Sequence, residues 1–169
     1  QNDLSYFQSK MNSSAVSKVL WEMGYDQIFF SGAFNPSSNS YESQPSLWQK
    51  IKSKILGYEI NTLIDHQSLS DFIEGSFALK TIKGSSSSYL TTLQQHPQPY
   101  LNFLQDLMTA TDNQIKKDRL LNISGRINFL NAKIKTTNEV SIQSALMTLL
   151  ERALLEEVLL SDESYYSIQ

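Results

Sequence analysis

The sequence predicts an α+β protein: a small mixed β-sheet base flanked by helices, with a long helix and a returning helix forming an extended arm. Three observations predict it. Apolar residues recur every three to four positions through most of the second half. Two β-prone runs joined by a Gly/Ser turn occupy the middle. With 40% hydrophobic and 11% aromatic residues, the chain can bury a core. The expected organisation is an α/β base over 1–98, a long helical arm and returning helix over 99–160 and a terminal strand over 161–169 returning to the base.

The elements follow in chain order. DLSYF is at best an opening strand, and residues 13–23 read as an amphipathic helix. Ser13 or Ser14 caps it, Val16, Val19, Leu20 and Met23 share one face, and Gly24 ends it. The polar stretch from Ser31 to Ser46, with two prolines, reads as the longest surface loop. Ser46 to Leu56 reads as a helix with Trp48, Ile51 and Ile55 inward and Lys50, Lys52 and Lys54 solvated. YEINTLI fits a strand, and SLSDFIEG a short helix or a turn. FALKTI and YLTTLQQ, joined by KGSSSS, read as a hairpin; the GSSSS run lacks the Gly-Lys-Ser/Thr ending of a phosphate loop.

From Tyr100 the pattern is helical. Leu101, Leu104, Met108, Thr111 and Ile115 form one stripe, then Leu120, Ile123, Ile127, Leu130 and Ile134 another. Together they imply a helix of about 34 residues, roughly 50 Å long. KTTN interrupts it, with Asn138 a candidate cap. A last helix over 139–160 carries Ile142, Leu146, Leu149, Ala153 and Val158 as its stripe. Leu150, Leu154, Leu155, Leu159 and Leu160 widen that stripe, so this helix is expected to be buried on two sides, and Leu146→Asp and Leu149→Asp are both expected to disrupt folding.

The chemistry-bearing residues are few. There is no cysteine, which excludes disulfides and Cys-based zinc or redox sites. His66 and His96 are the two histidines, and neither lies in a recognisable catalytic or metal-ligating pattern. The carboxylates that cluster, Glu156-Glu157 and Asp162-Glu163, read as a solvated helix end. No catalytic residue, metal ligand or cofactor site is assigned, and the chain is expected not to be an enzyme. A net charge of −3 argues against nucleic acid as a partner. Lys116, Lys117, Arg119 and Arg126 form a basic group on the long helix. It is either solvated or a lateral contact with a second copy, pairing with acidic residues such as Glu151 and Glu156.

From residue 89 to 169 the order of segments resembles the periplasmic domain of the Wzz-type chain-length determinants, the polysaccharide co-polymerases. SSYLTTLQQHPQPYLNFLQDLM resembles that family's strand, Pro-x-Pro turn and opening arm helix. Arg126, Leu130 and Ile134 followed by Lys135-Thr136 resemble its arm, and the Leu-rich helix before SDESYYSIQ its return towards the membrane. The resemblance implies an inner-membrane protein with this domain in the periplasm, closing into a homo-oligomeric ring. It implies that the ring sets O-antigen or related polysaccharide chain length in lipopolysaccharide biosynthesis, acting with the polymerase and the growing glycan. It also implies anchoring by flanking membrane helices, expected before Gln1 and after Gln169. Under this reading Lys116, Arg119, Arg126, Glu151 and Glu156 are the subunit-interface residues, and Arg126→Glu alters assembly or sugar length without unfolding the chain. The competing expectation is a soluble helical adaptor or tethering module that binds a protein partner through its Leu-rich helix. It predicts no flanking spans.

Overall fold

The computed structural model describes residues 3–57, 62–81, 88–92 and 99–162. Its fold is α+β, with small antiparallel sheets, flanking helices, a long helix and a returning helix. The chain divides into two compact units, Gln1–Leu107 and Met108–Gln169.

In the first unit, α1 (Asp3–Met11), α2 (Ser14–Glu22) and α3 (Tyr25–Phe29) follow one another closely. The opening segment expected as a strand is therefore helical; Phe7 and Met11, four residues apart, are both buried, as one helix face requires. Ser13 is the N-cap of α2, its hydroxyl accepting from the Val16 amide, as its sequence position indicated. Gly24 then turns the chain between α2 and α3 at φ 90°, a left-handed conformation in which a Cβ would be strained.

The stretch expected as a long loop contains a short hairpin of β1 (Phe34–Asn35) and β2 (Ser40–Glu42). Its turn is held by polar side chains. The Glu42 carboxylate accepts from Ser38 at 2.6 Å and from Asn35 and Ser40 at 3.2 Å each. Those hydrogen bonds, Ser38's first, hold the Glu42 carboxyl below the usual carboxylate range. The strand β3 (Leu63–Ile64) pairs antiparallel with β2, and α4 (Leu47–Leu56) lies between them in sequence.

His66 opens α5 (His66–Ser76), capped by Asp65, whose carboxylate accepts from the Gln67 and Ser68 amides. β4 (Phe77–Thr81) and β5 (Ser88–Thr92) pair antiparallel from Phe77↔Thr92 to Thr81↔Ser88. The predicted hairpin is present; its KGSS tip lies outside the described residues, as does His96.

The core of this unit joins Val16 and Leu20 of α2 to Leu69 and Ile73 of α5, all fully buried. Beside them is an aromatic cluster. Phe103, buried near the start of the long helix α6 (Pro99–Thr136), has ring centroids 4.7 Å from Phe29, 4.9 Å from Tyr25 and 5.5 Å from Phe77. The Tyr25 hydroxyl donates to Asp106 at 2.5 Å, so the ring is fixed at both its edge and its tip.

The second unit is a helical hairpin. α6 has 38 residues, close to the predicted length, and runs into a short break at 137–139 before α7 (Val140–Asp162). The terminal strand expected from Ser161 onward does not begin there. α7 continues through Asp162, and residues 163–169 lie outside the described residues.

Candidate protein-docking site

The hairpin is built from two seams of matching period. On α6, Leu120, Ile123, Ile127, Leu130 and Ile134 are buried or half-buried and step by three or four, as predicted. On α7 the covered side is Gln143, Leu146, Leu150, Ala153, Glu157 and Leu160, with the same step. The predicted stripe of α7 was thus only partly right. Leu146 and Ala153 are on the covered side, whereas Ile142, Leu149 and Val158 are exposed.

Three polar links fix the antiparallel register. At the tip, Gln143 Nε2 donates to the Thr137 carbonyl at 2.5 Å, meeting an acceptor left over at the end of α6. Midway, Arg126 pairs with Glu156 at 2.6 Å, each side chain nearly half exposed. At the far end, Lys116 Nζ donates to the Ser161 carbonyl at 3.0 Å, placing a cation at the C-terminus of α7. Of the residues considered for a subunit interface, Arg126 and Glu156 therefore meet each other inside the chain, and Lys116 holds the end of α7. Arg119 is half-buried, and Glu151 is exposed on α7.

The outer side of α7 carries a group of exposed apolar side chains towards its C-terminal end. Leu154, Leu155, Val158 and Leu159 are 43%, 60%, 58% and 60% exposed, so four large side chains on adjacent turns face away from the seam. Sequence pattern placed a second buried side here; among the described residues nothing covers it. Next to Val158 an open groove of about 640 Å³ is lined by Leu120, Leu121, Lys116 and Lys117 of α6 and by Glu157 of α7. Contiguous apolar surface of this kind, edged by charge, is a feature of protein interaction sites.

The other candidates do not assemble into a chemical site. His66 is a helix N-terminal residue beside a capping aspartate, and no group of three His, Cys, Asp or Glu among the described residues is placed to hold a metal ion. The Tyr25–Asp106 pair, which sequence reasoning missed, is part of the aromatic core. Burial, and next the Asp106 carboxylate, push its phenol up to about 12.

Comparison with known proteins gives no match: no family model, no curated protein and no solved structure is similar to this chain. The function expected from the resemblance, an inner-membrane scaffold regulating O-antigen or other polysaccharide length, is corrected accordingly. No comparison supports it, and among the described residues no helix is long and apolar enough to cross a membrane. What stands in its place is an α+β domain with a long helical hairpin. The physical reason for the difference is that a long helix, a polar break and a Leu-rich return form the pattern of any antiparallel hairpin with a heptad-like seam. Segment order of that kind specifies packing and leaves activity open.

Proposed function

We propose that this chain is a helical adaptor or tethering module that takes an amphipathic helix of a partner protein on the outer face of α7. One observation carries the reading: Leu154, Leu155, Val158 and Leu159 stay exposed on adjacent turns although α7 is already packed on α6. A partner helix with apolar residues at i, i+3, i+4 and i+7 would lie along these four side chains and complete a three-helix arrangement. Glu151, exposed on α7, favours a basic residue on that helix, and Lys117 of α6 an acidic one. The role so assigned is binding, with no catalytic step.

The test titrates the chain with a synthetic amphipathic peptide that carries a Leu stripe and a lysine flank. Saturable binding is expected, lost in Leu155→Asp and Val158→Asp with helix content unchanged. Failure of the peptide to bind, or binding untouched by both substitutions, would overturn the proposal. Self-association of the chain, measured by sedimentation and abolished by the same substitutions, would assign the face to a second copy and equally overturn it.

A further inference from the structure

The helix α4 has no covered face among its described residues: all of them but Ser53 are exposed. The sequence pattern predicts Trp48, Ile51 and Ile55 inward, but the structure exposes all three. Leu47 is 78% exposed, Trp48 73% and Ile55 75%, and Ile51 and Leu56 are exposed as well. The least exposed described residue of α4 is Ser53, a small polar one. At about 100° per residue, Leu47, Ile51, Ile55 and Trp48 fall within one third of the circumference. Lys54 and Lys50 border that arc on one side and Lys52 on the other. None of the three lysines has an ion pair among the described residues. No acidic residue occurs between Ser43 and Gly57, in a chain whose net charge is −3.

We infer that α4 docks on an anionic phospholipid surface, lying in the plane of the headgroups with its apolar arc inserted. An outward apolar stripe with a tryptophan and lysines along its borders is the composition of an interfacial helix. Lysines on both borders let the stems follow the apolar arc into the lipid while the ammonium groups remain at the phosphates. Trp48 places an amphipathic ring at the depth where indoles are enriched. Charge complementarity selects the surface: three unpaired cations and no anion on this helix call for a negative partner. An extended plane, and not a closed groove on a protein, engages both lysine borders at once. The helix is ready-formed for this contact. Pro45 precedes it, and Gly57 ends it at φ 71° with its amide donating to the Ser53 carbonyl. The reading is independent of the docking face on α7.

The experiment mixes the full chain with vesicles of phosphatidylcholine alone, or of phosphatidylcholine with phosphatidylglycerol, and measures co-sedimentation and tryptophan emission. Binding is expected only to the anionic vesicles, weakening as salt rises, with a blue shift that Trp48→Phe removes. Each of Lys50→Gln, Lys52→Gln and Lys54→Gln is expected to weaken partitioning about fivefold. Ile51→Asp is expected to abolish it while circular dichroism stays unchanged, since Ile51 is already solvent-exposed. Absence of sedimentation, equal binding to neutral vesicles, or a bound Ile51→Asp would overturn the inference. Binding of polyglutamate without binding of anionic vesicles would overturn it in favour of an acidic protein partner.

Discussion

Phe103→Ala tests whether the first turns of α6 are anchored by the aromatic cluster. Phe103 is fully buried and lies within 5.5 Å, centroid to centroid, of three other rings. Truncation leaves a void the size of a phenyl ring among Tyr25, Phe29 and Phe77. A buried Phe→Ala change costs about 3–5 kcal/mol. The contacts with Tyr25 and Phe29 are near-perpendicular, at 71° and 75°, the geometry that favours ring edges against ring faces. Such pairs contribute roughly 0.5–1.5 kcal/mol each beyond burial, so the loss belongs in the upper half of the 3–5 kcal/mol range, about 4–5 kcal/mol. Small domains are typically stable by about 5–15 kcal/mol, so the variant would have lost a large part of its margin. Phe103→Leu keeps most of the volume and forfeits the ring geometry, with an expected loss of about 1–2 kcal/mol. The assay is urea unfolding followed by Trp21, whose indole touches Phe30 and Tyr41, in a Trp48→Phe background. The midpoint should fall at unchanged slope. A loss below about 1 kcal/mol for Phe103→Ala, or equal losses for Ala and Leu, would refute the reasoning, because neither outcome fits a filled cavity.

The remaining expectations concern one buried pair and the hairpin seam. Tyr25 ionises near 12 against an ordinary 10.0, so the fold favours its neutral form. Its stabilising contribution is complete below pH 10.0 and is lost as pH rises through about 12. An absorbance titration should show a late-ionising component that is absent in Tyr25→Phe; its persistence in that variant would contradict the hydrogen bond to Asp106. On α7, Ala153→Asp buries a carboxylate in the seam and should cost at least about 3 kcal/mol in thermal or urea unfolding. Leu149→Asp, contrary to what the sequence pattern predicts, should change stability by no more than about 0.5 kcal/mol because Leu149 is half exposed. Equal destabilisation by the two would place Leu149 in a covered face.

How much could be read beforehand differs between elements for physical reasons. The cap at Ser13, the β4–β5 pairing and the length of α6 were legible because each depends on local rules: a hydroxyl before an apolar repeat, β-prone runs about a Gly/Ser turn, and a sustained period of three to four. The β1–β2 hairpin was not legible. Its strands have two and three residues, too short for an alternation to register, and its turn is held by Glu42 drawing on Ser38, Asn35 and Ser40. α1 was missed for a similar reason, since DLSYF alone is too short to separate a period of two from one of 3.6.

Sequence by itself therefore determined the α+β class, the two long helices and the break between them, through periodicity and local turn chemistry. Only tertiary structure decided which apolar residues are covered. Leu146 and Leu149 are alike in hydrophobicity and in spacing; burial depends on what the rest of the chain brings opposite them. In the hairpin a single partner helix covers one side of α7, so half of a uniformly Leu-rich helix faces out. On α4 the apolar residues are exposed together with the lysines. Periodicity shows that a helix has two faces, and the identity of the covering surface is a non-local property that no run of neighbours encodes.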